Sequence, residues 1–152
     1  MGGEADATAL AFGQSIDVDA ELAVDDVTGS IAYARALGEA GLLSESEVDV
    51  LVGGLTAIRA DVVAGTMTWD PALEDVHMNV ESELGRRVGP VAGKLHAGRS
   101  RNDQVSTDLR LWLRRSIDAL DEGVLGLERA LVGLARRHAA VVMPAHTHTQ
   151  PA

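Results

Sequence analysis

Seven apolar residues, Leu113, Ile117, Leu120, Val124, Leu127, Leu131 and Leu134, recur at alternating spacings of four and three. That alternation keeps one stripe of a helix apolar turn after turn, the seam of a bundle or coiled coil. It predicts one helix over about residues 101–140, broken at Met143-Pro144, where proline cannot continue the amide ladder. At 1.5 Å per residue such a helix is about 55–60 Å long, against about 30 Å for the width of a small domain. Its far end therefore needs apolar partners beyond its own domain, and self-association is the simplest supply.

Upstream, apolar spacing predicts two further helices in a hairpin. Leu22, Val27, Ile31, Ala34 and Leu37 mark one from about Asp19 to a left-handed stop at Gly41. Ser44-Glu45-Ser46-Glu47 is a capping box that opens the next. Its stripe is Val48, Leu51, Val52, Leu55, Ile58 and Val62, ending near Gly65. After a loop at Trp69-Asp70-Pro71, a third helix is expected from about Leu73 to Val88. Glu74 and Asp75 sit at its positive end and Gly89-Pro90 closes it. Residues 1–14 and 145–152 read as a loose arm and a loop.

Composition supports an all-α core. Of the 152 residues, 46% are hydrophobic but only 3% aromatic, so the core is built from Leu, Val, Ile and Ala. A net charge of −10 argues against nucleic acid or an anionic membrane as partner. No apolar run approaches the roughly 18–20 residues that cross a bilayer, and the N-terminus lacks a secretory pattern. There is no cysteine, hence no disulfide or thiolate metal site. A cytoplasmic protein is the expectation.

Against that acidity, Lys94, His96, Arg99 and Arg101 crowd into eight residues, with Ser100, Asn102 and Gln104 interleaved. The segment enters the long helix, whose first amides are unpaired and partly positive, so it reads as an anion cradle. Arg99 and Arg101 can add bidentate carboxylate contacts, and Gly98 allows close backbone approach. A bland reading stands beside it: Ser100 caps the helix, Asp103 completes the box, and the cations pair with surface acids.

Three other clusters carry candidate chemistry. His146 and His148 are spaced to ligate zinc, with His138 and His77 available, but no further ligand stands at a short spacing, so no metal is expected. His148 among Thr147, Thr149 and Gln150 suits proton transfer or polarisation of an oxyanion instead. His77 and Glu81 are one helical turn apart, an ordinary ion pair unless a site recruits them. Ser15 and Asp19 look like a helix N-cap.

Gly98-Arg99-Ser100-Arg101-Asn102-Asp103-Gln104-Val105, with Thr107-Asp108-Leu109-Arg110, resembles the first signature of the argininosuccinate lyases, within the fumarase/aspartase superfamily. Glu74-Asp75-Val76-His77 is similar to that family's acidic-His segment. Met143-Pro144 with Thr147-His148-Thr149-Gln150 is similar to the start of its second signature. Ser15 and Asp19 match a Ser and an Asp of an N-terminal substrate-contacting segment. The chain departs from the pattern at Met1-Gly2-Gly3-Glu4, where Trp-Gly-Gly-Arg-Phe is usual, and at Ala145 and His146.

The resemblance implies an all-α fold of the L-aspartase type. A small helical domain would occupy residues 1–98, and residues 99–152 would begin the central helical bundle. It implies β-elimination of argininosuccinate to arginine and fumarate, with no metal or organic cofactor, by a homotetramer whose sites each draw on three subunits. Ser100, Arg101, Asn102 and Thr147 would bind carboxylates, with Gln150 alongside. His148 would be the acid-side or orienting histidine, His77 would lie near the succinyl group, and Ser15 and Asp19 would hold the amino-acid end. The chain stops before the family's Met-Pro-x-Lys-x-Asn loop, which bears the base, so it is expected to be an N-terminal portion, inactive alone. Two alternatives remain: a superfamily lyase or cycloisomerase for another succinyl compound, or a non-enzymatic, crystallin-like helical assembly protein.

Overall fold

A computed structural model describes residues 7–151. They form two compact units, one ending at Leu113 and the other beginning at Arg114. The first unit is helical. Helix α1 (Ala7–Gly13) is followed by the short α2 (Ile16–Asp19), which passes through a 3-10 turn into α3 (Ala23–Glu39). The expected loose arm is thus helical from Ala7 onward, and its first six residues lie outside the described ones. The single helix expected from Asp19 is divided by the 3-10 turn at Ala20–Leu22.

Helices α3 and α4 (Glu45–Ala64) pack on each other more extensively than any other pair, as the expected hairpin. Gly41, at φ +72°, lets the chain reverse, and the Leu42 amide donates back to Leu37 O at 2.9 Å. The capping box forms: Glu47 N–H donates to Ser44 Oγ at 3.3 Å, while Glu47 Oε2 accepts from Ser44 N–H at 2.9 Å. Helix α5 (Val76–Val88) lies against both.

That third helix starts later than its apolar spacing suggests. Pro71–Leu73 forms a 3-10 turn, Glu74 takes φ +66°, and Asp75 is the N-cap, its Oδ1 accepting from Met78 N–H at 2.7 Å. An extended cap residue satisfies an end amide that a carboxylate inside the first turn would leave open. After Val88 the chain continues as 3-10 helix through Gly89–His96. The expected cradle loop is therefore shortened to residues 97–100.

The core gathers Val27, Ala34, Leu37, Leu51, Leu55, Ile58, Val76, Val80, Leu84, Ala92 and Leu95. The marked stripes supply the α3 and α4 contribution, with Leu22, Ile31, Val48, Val52 and Val62 at its partly buried rim.

Helix α6 (Arg101–Arg137) is unbroken and ends three residues before the expected 140. In the second unit, Ile117, Leu120, Val124, Leu127, Leu131 and Leu134 are all exposed, from 46% to 69%. Beyond it, β1 (His146–Thr147) pairs antiparallel with β2 (Gln150–Pro151), a small hairpin where a loop was expected. Among the described residues no helix is long and apolar enough to cross a membrane.

Candidate active site

Ser15 and Asp19 are more than a cap. The Ser15 hydroxyl does not cap α2 but donates to Asp19 Oδ2 at 2.6 Å. Asp19 Oδ1 reaches across the fold to accept from the Val76 amide at 3.1 Å, and Ser15 N–H donates to Glu74 O at 2.8 Å. Two segments far apart in sequence, one resembling a substrate-contacting segment and the other the acidic-His segment, are thereby locked together where α5 begins.

Arg101 borders the same place. Its Nε lies 3.9 Å from Asp75 Oδ2 and its Nη2 lies 3.7 Å from Glu81 Oε2. Asp75, next to the Val76 amide that Asp19 holds, is thus the link between the Ser15–Asp19 pair and Arg101. Ser100 and Asn102 are exposed beside it at the opening of α6. Ser100 Oγ accepts from the Asn102 amide at 3.2 Å, and Asp103 Oδ1 from the Ser100 amide at 2.9 Å, so the helix start is capped.

Most cations of this segment are already engaged, as the bland reading held. Lys94 pairs with Glu47, lowering the Glu47 carboxyl, and His96 Nε2 lies 3.0 Å from Glu81 Oε2. Arg99 Nη1 donates to Ser30 Oγ at 3.0 Å while its guanidinium lies 5.0 Å from the Tyr33 ring centroid. Tyr33 in turn donates to Ala97 O at 2.7 Å, tying the 97–100 loop to α3. Arg101, one-third exposed, is at ion-pair distance from Asp75 and Glu81.

His77 does not pair with Glu81. It is 3% exposed, and its Nδ1 is 3.1 Å from Asp26 Oδ1 and 3.6 Å from Asp108 Oδ2. Gln104 Nε2 also donates to Asp26 Oδ1. Asp26 and Asp108 are fully buried, and no hydrogen bond reaches Asp26 Oδ2 or either Asp108 oxygen. Gly29 makes room: a Cβ there would stand 3.3 Å from Asp108 Oδ1.

Burial and proximity divide the two carboxyls. Burial raises Asp26, but hydrogen bonds and charge from His77, with Gln104 and Arg99, outweigh it and hold Asp26 below the ordinary range. Burial and the Asp26 charge push Asp108 up to about 7, against the pull of His77 and Arg99. Burial lowers His77, yet the bond and charge of Asp26, with Asp75 and Asp108, raise it overall. The ligand atoms of Asp26, His77 and Asp108 lie within 4.8 Å of one another, a spacing that can hold a metal ion. Arg99 lies close enough to lower both carboxyls by its charge.

In the second unit, Thr147 and Gln150 are partners across the hairpin register, and His148 and Thr149 form its turn. Both turn residues have positive φ, 48° and 66°, a region that Thr in particular seldom visits. His148 thus stands exposed at a strained tip.

Sequence reasoning missed Asp26, Asp108 and Ser30. The available signal was positional: Asp26 and Ser30 flank Val27 inside an apolar stripe, where a polar residue needs a buried partner. Nothing local says which partner.

A family model described as lyase matches residues 1–152. Over 147 residues, 97% of the chain, the sequence is 51% identical to an argininosuccinate lyase of Methylococcus capsulatus and 50% identical to one of Thioalkalivibrio sulfidiphilus. It is 48% identical to an argininosuccinate lyase of Nitrosococcus oceani over 141 residues, 93% of the chain. The chain spans 32%, 32% and 30% of those relatives, about a third of their length.

Proposed function

Since this chain belongs to the lyase family, we propose that it supplies the N-terminal portion of an argininosuccinate lyase, which eliminates fumarate from argininosuccinate and releases arginine. The observation that carries the reading is the tie of Ser15 and Asp19 to the start of α5, where Asp75 stands 3.9 Å from Arg101 at the opening of α6. Removal of a proton beside a carboxylate concentrates negative charge on the succinyl portion. Donors held in place before that charge develops stabilise it more than they stabilise the substrate.

In this reading Ser100, Arg101 and Asn102 bind substrate carboxylates, and Ser15 with Asp19 holds the amino-acid end. Thr147 and Gln150 flank His148, which acts on the acid side or orients the leaving group. His77 is buried, so it supports this wall from behind rather than touching the succinyl group. The exposed seam of α6 is the surface on which a homotetramer assembles, in the cytoplasm, with each site shared among subunits. No metal or organic cofactor takes part.

The test is replacement of the matching segment of the Methylococcus capsulatus relative by residues 1–152, with fumarate release followed by absorbance. Turnover of argininosuccinate is expected from the fusion and not from the 152-residue chain alone. A folded fusion that ignores argininosuccinate but cleaves adenylosuccinate or aspartate overturns the assignment, and one that cleaves nothing favours a structural role.

A further inference from the structure

Arg101 is steered by a neutral group. Its Nη1 donates to Gln104 Oε1 at 3.2 Å, three residues along α6. The other end of the same amide, Nε2, donates to the buried Asp26 Oδ1 on α3. An amide has one donor end and one acceptor end. With the donor end taken by a carboxylate, only the acceptor faces the guanidinium. Turning the amide over would set Oε1 against a carboxylate oxygen and Nε2 against a cation, two repulsions at once. The Gln104 backbone is also tied to the loop, its amide donating to Ser100 O at 3.3 Å.

The neutrality of Gln104 matters for binding. Asp75 and Glu81 stand 3.9 and 3.7 Å from the guanidinium, near enough to draw it into a closed ion pair. Gln104 meets the guanidinium at hydrogen-bond distance, closer than either carboxylate, and orients it without adding a further counter-charge.

We propose that Asp26 and Gln104 are positioning residues, a buried relay that presets the Arg101 guanidinium for a substrate carboxylate. The role rests on the reading of Arg101 as a carboxylate-binding residue, whereas the relay itself can be read without turnover. In the 152-residue chain, side-chain nitrogen NMR should show restricted rotation of the Arg101 guanidinium. Gln104→Met, which keeps the length and removes the amide, should release it to the rate of an exposed arginine. Asp26→Leu, which removes the acceptor for the Gln104 amide, should loosen it as well, and decides the matter if the first variant does not fold. Rotation unchanged in the folded variants overturns the relay.

In the fusion with the Methylococcus capsulatus relative, Gln104→Met should raise KM for argininosuccinate about tenfold, as expected for a hydrogen bond to a charged group. The turnover number should fall as well, because a guanidinium that is no longer preset also loses part of its hold on the developing charge. Asp26→Leu should reproduce the KM change and add little in the double variant; fully additive effects overturn the coupling. An unsubstituted fusion without activity on argininosuccinate would fell the lyase reading, and the NMR result would still decide the relay.

Discussion

The Asp19 carboxylate satisfies the backbone amide of Val76, 57 residues away, at 3.1 Å. One side chain thereby fastens the N-terminal segment to the start of α5 while its second oxygen holds Ser15. Asp19→Ala removes both bonds and should cost about 1 kcal/mol, in line with the loss of a helix-end acceptor. Asp19→Asn keeps an acceptor for the amide and should recover most of it. Thermal melts of the three proteins decide, and an Ala variant as stable as the parent refutes the docking role.

Stability should fall as pH rises from about 5 to 8. Asp108 titrates near 7 when folded against an ordinary 3.8, so its contribution is complete below about 4 and is lost as pH approaches 7. His77, also raised, acts in the same sense: its contribution is present below 6.5 and lost above its higher folded value. Asp26 is lowered and acts oppositely, present above 3.8 and lost only in acid below it. Asp108→Asn is neutral throughout and should flatten the profile. Melting temperatures across pH 5 to 8.5 test this, and equal slopes for both proteins contradict it.

Adjacent glycines in α4 should respond with opposite signs. A Cβ at Gly53 meets nothing within 4 Å, so Gly53→Ala should gain about 0.5–1 kcal/mol from the stiffer unfolded chain. At Gly54 it would lie 2.6 Å from Val88 Cγ1 and 2.9 Å from Leu84 Cδ1, inside the α4–α5 contact. Overpacking of this kind costs about 1–3 kcal/mol, more than the backbone gain. Urea unfolding of both variants separates them, and two stabilising substitutions would mean the contact yields freely.

The α6 seam should drive self-association. Leu120 and Leu127, at 69% and 61% exposure, are the most open positions of the seam. Glu at both should abolish concentration-dependent association in sedimentation while far-ultraviolet dichroism stays helical. Assembly that survives the double substitution would place the interface elsewhere.

Local pattern and tertiary packing divide this molecule along clear lines. The four-three spacing from Leu113 to Leu134 determined α6, and the stripes Leu22, Val27, Ile31, Ala34, Leu37 and Val48, Leu51, Val52, Leu55, Ile58, Val62 determined the α3–α4 hairpin and its buried face. Ser44, Glu47 and Gly41 determined where those helices start and stop. Each of these rests on backbone geometry within a turn or two, which is written in neighbouring residues. The partners of polar side chains are another matter. That Lys94 and His96 lie against Glu47 and Glu81, that His77 turns inward to Asp26 and Asp108, and that Gln104 stands between Asp26 and Arg101 all depend on which helices pack together. A buried charge must be met within hydrogen-bond distance, and helices brought together by nonspecific apolar contact decide which group meets it. The sequence by itself determined a set of helices and a cationic entry to the longest one. Only the tertiary structure decided which carboxylates Lys94, His96 and Arg101 would meet there, because those partners come from other helices packed against the entry.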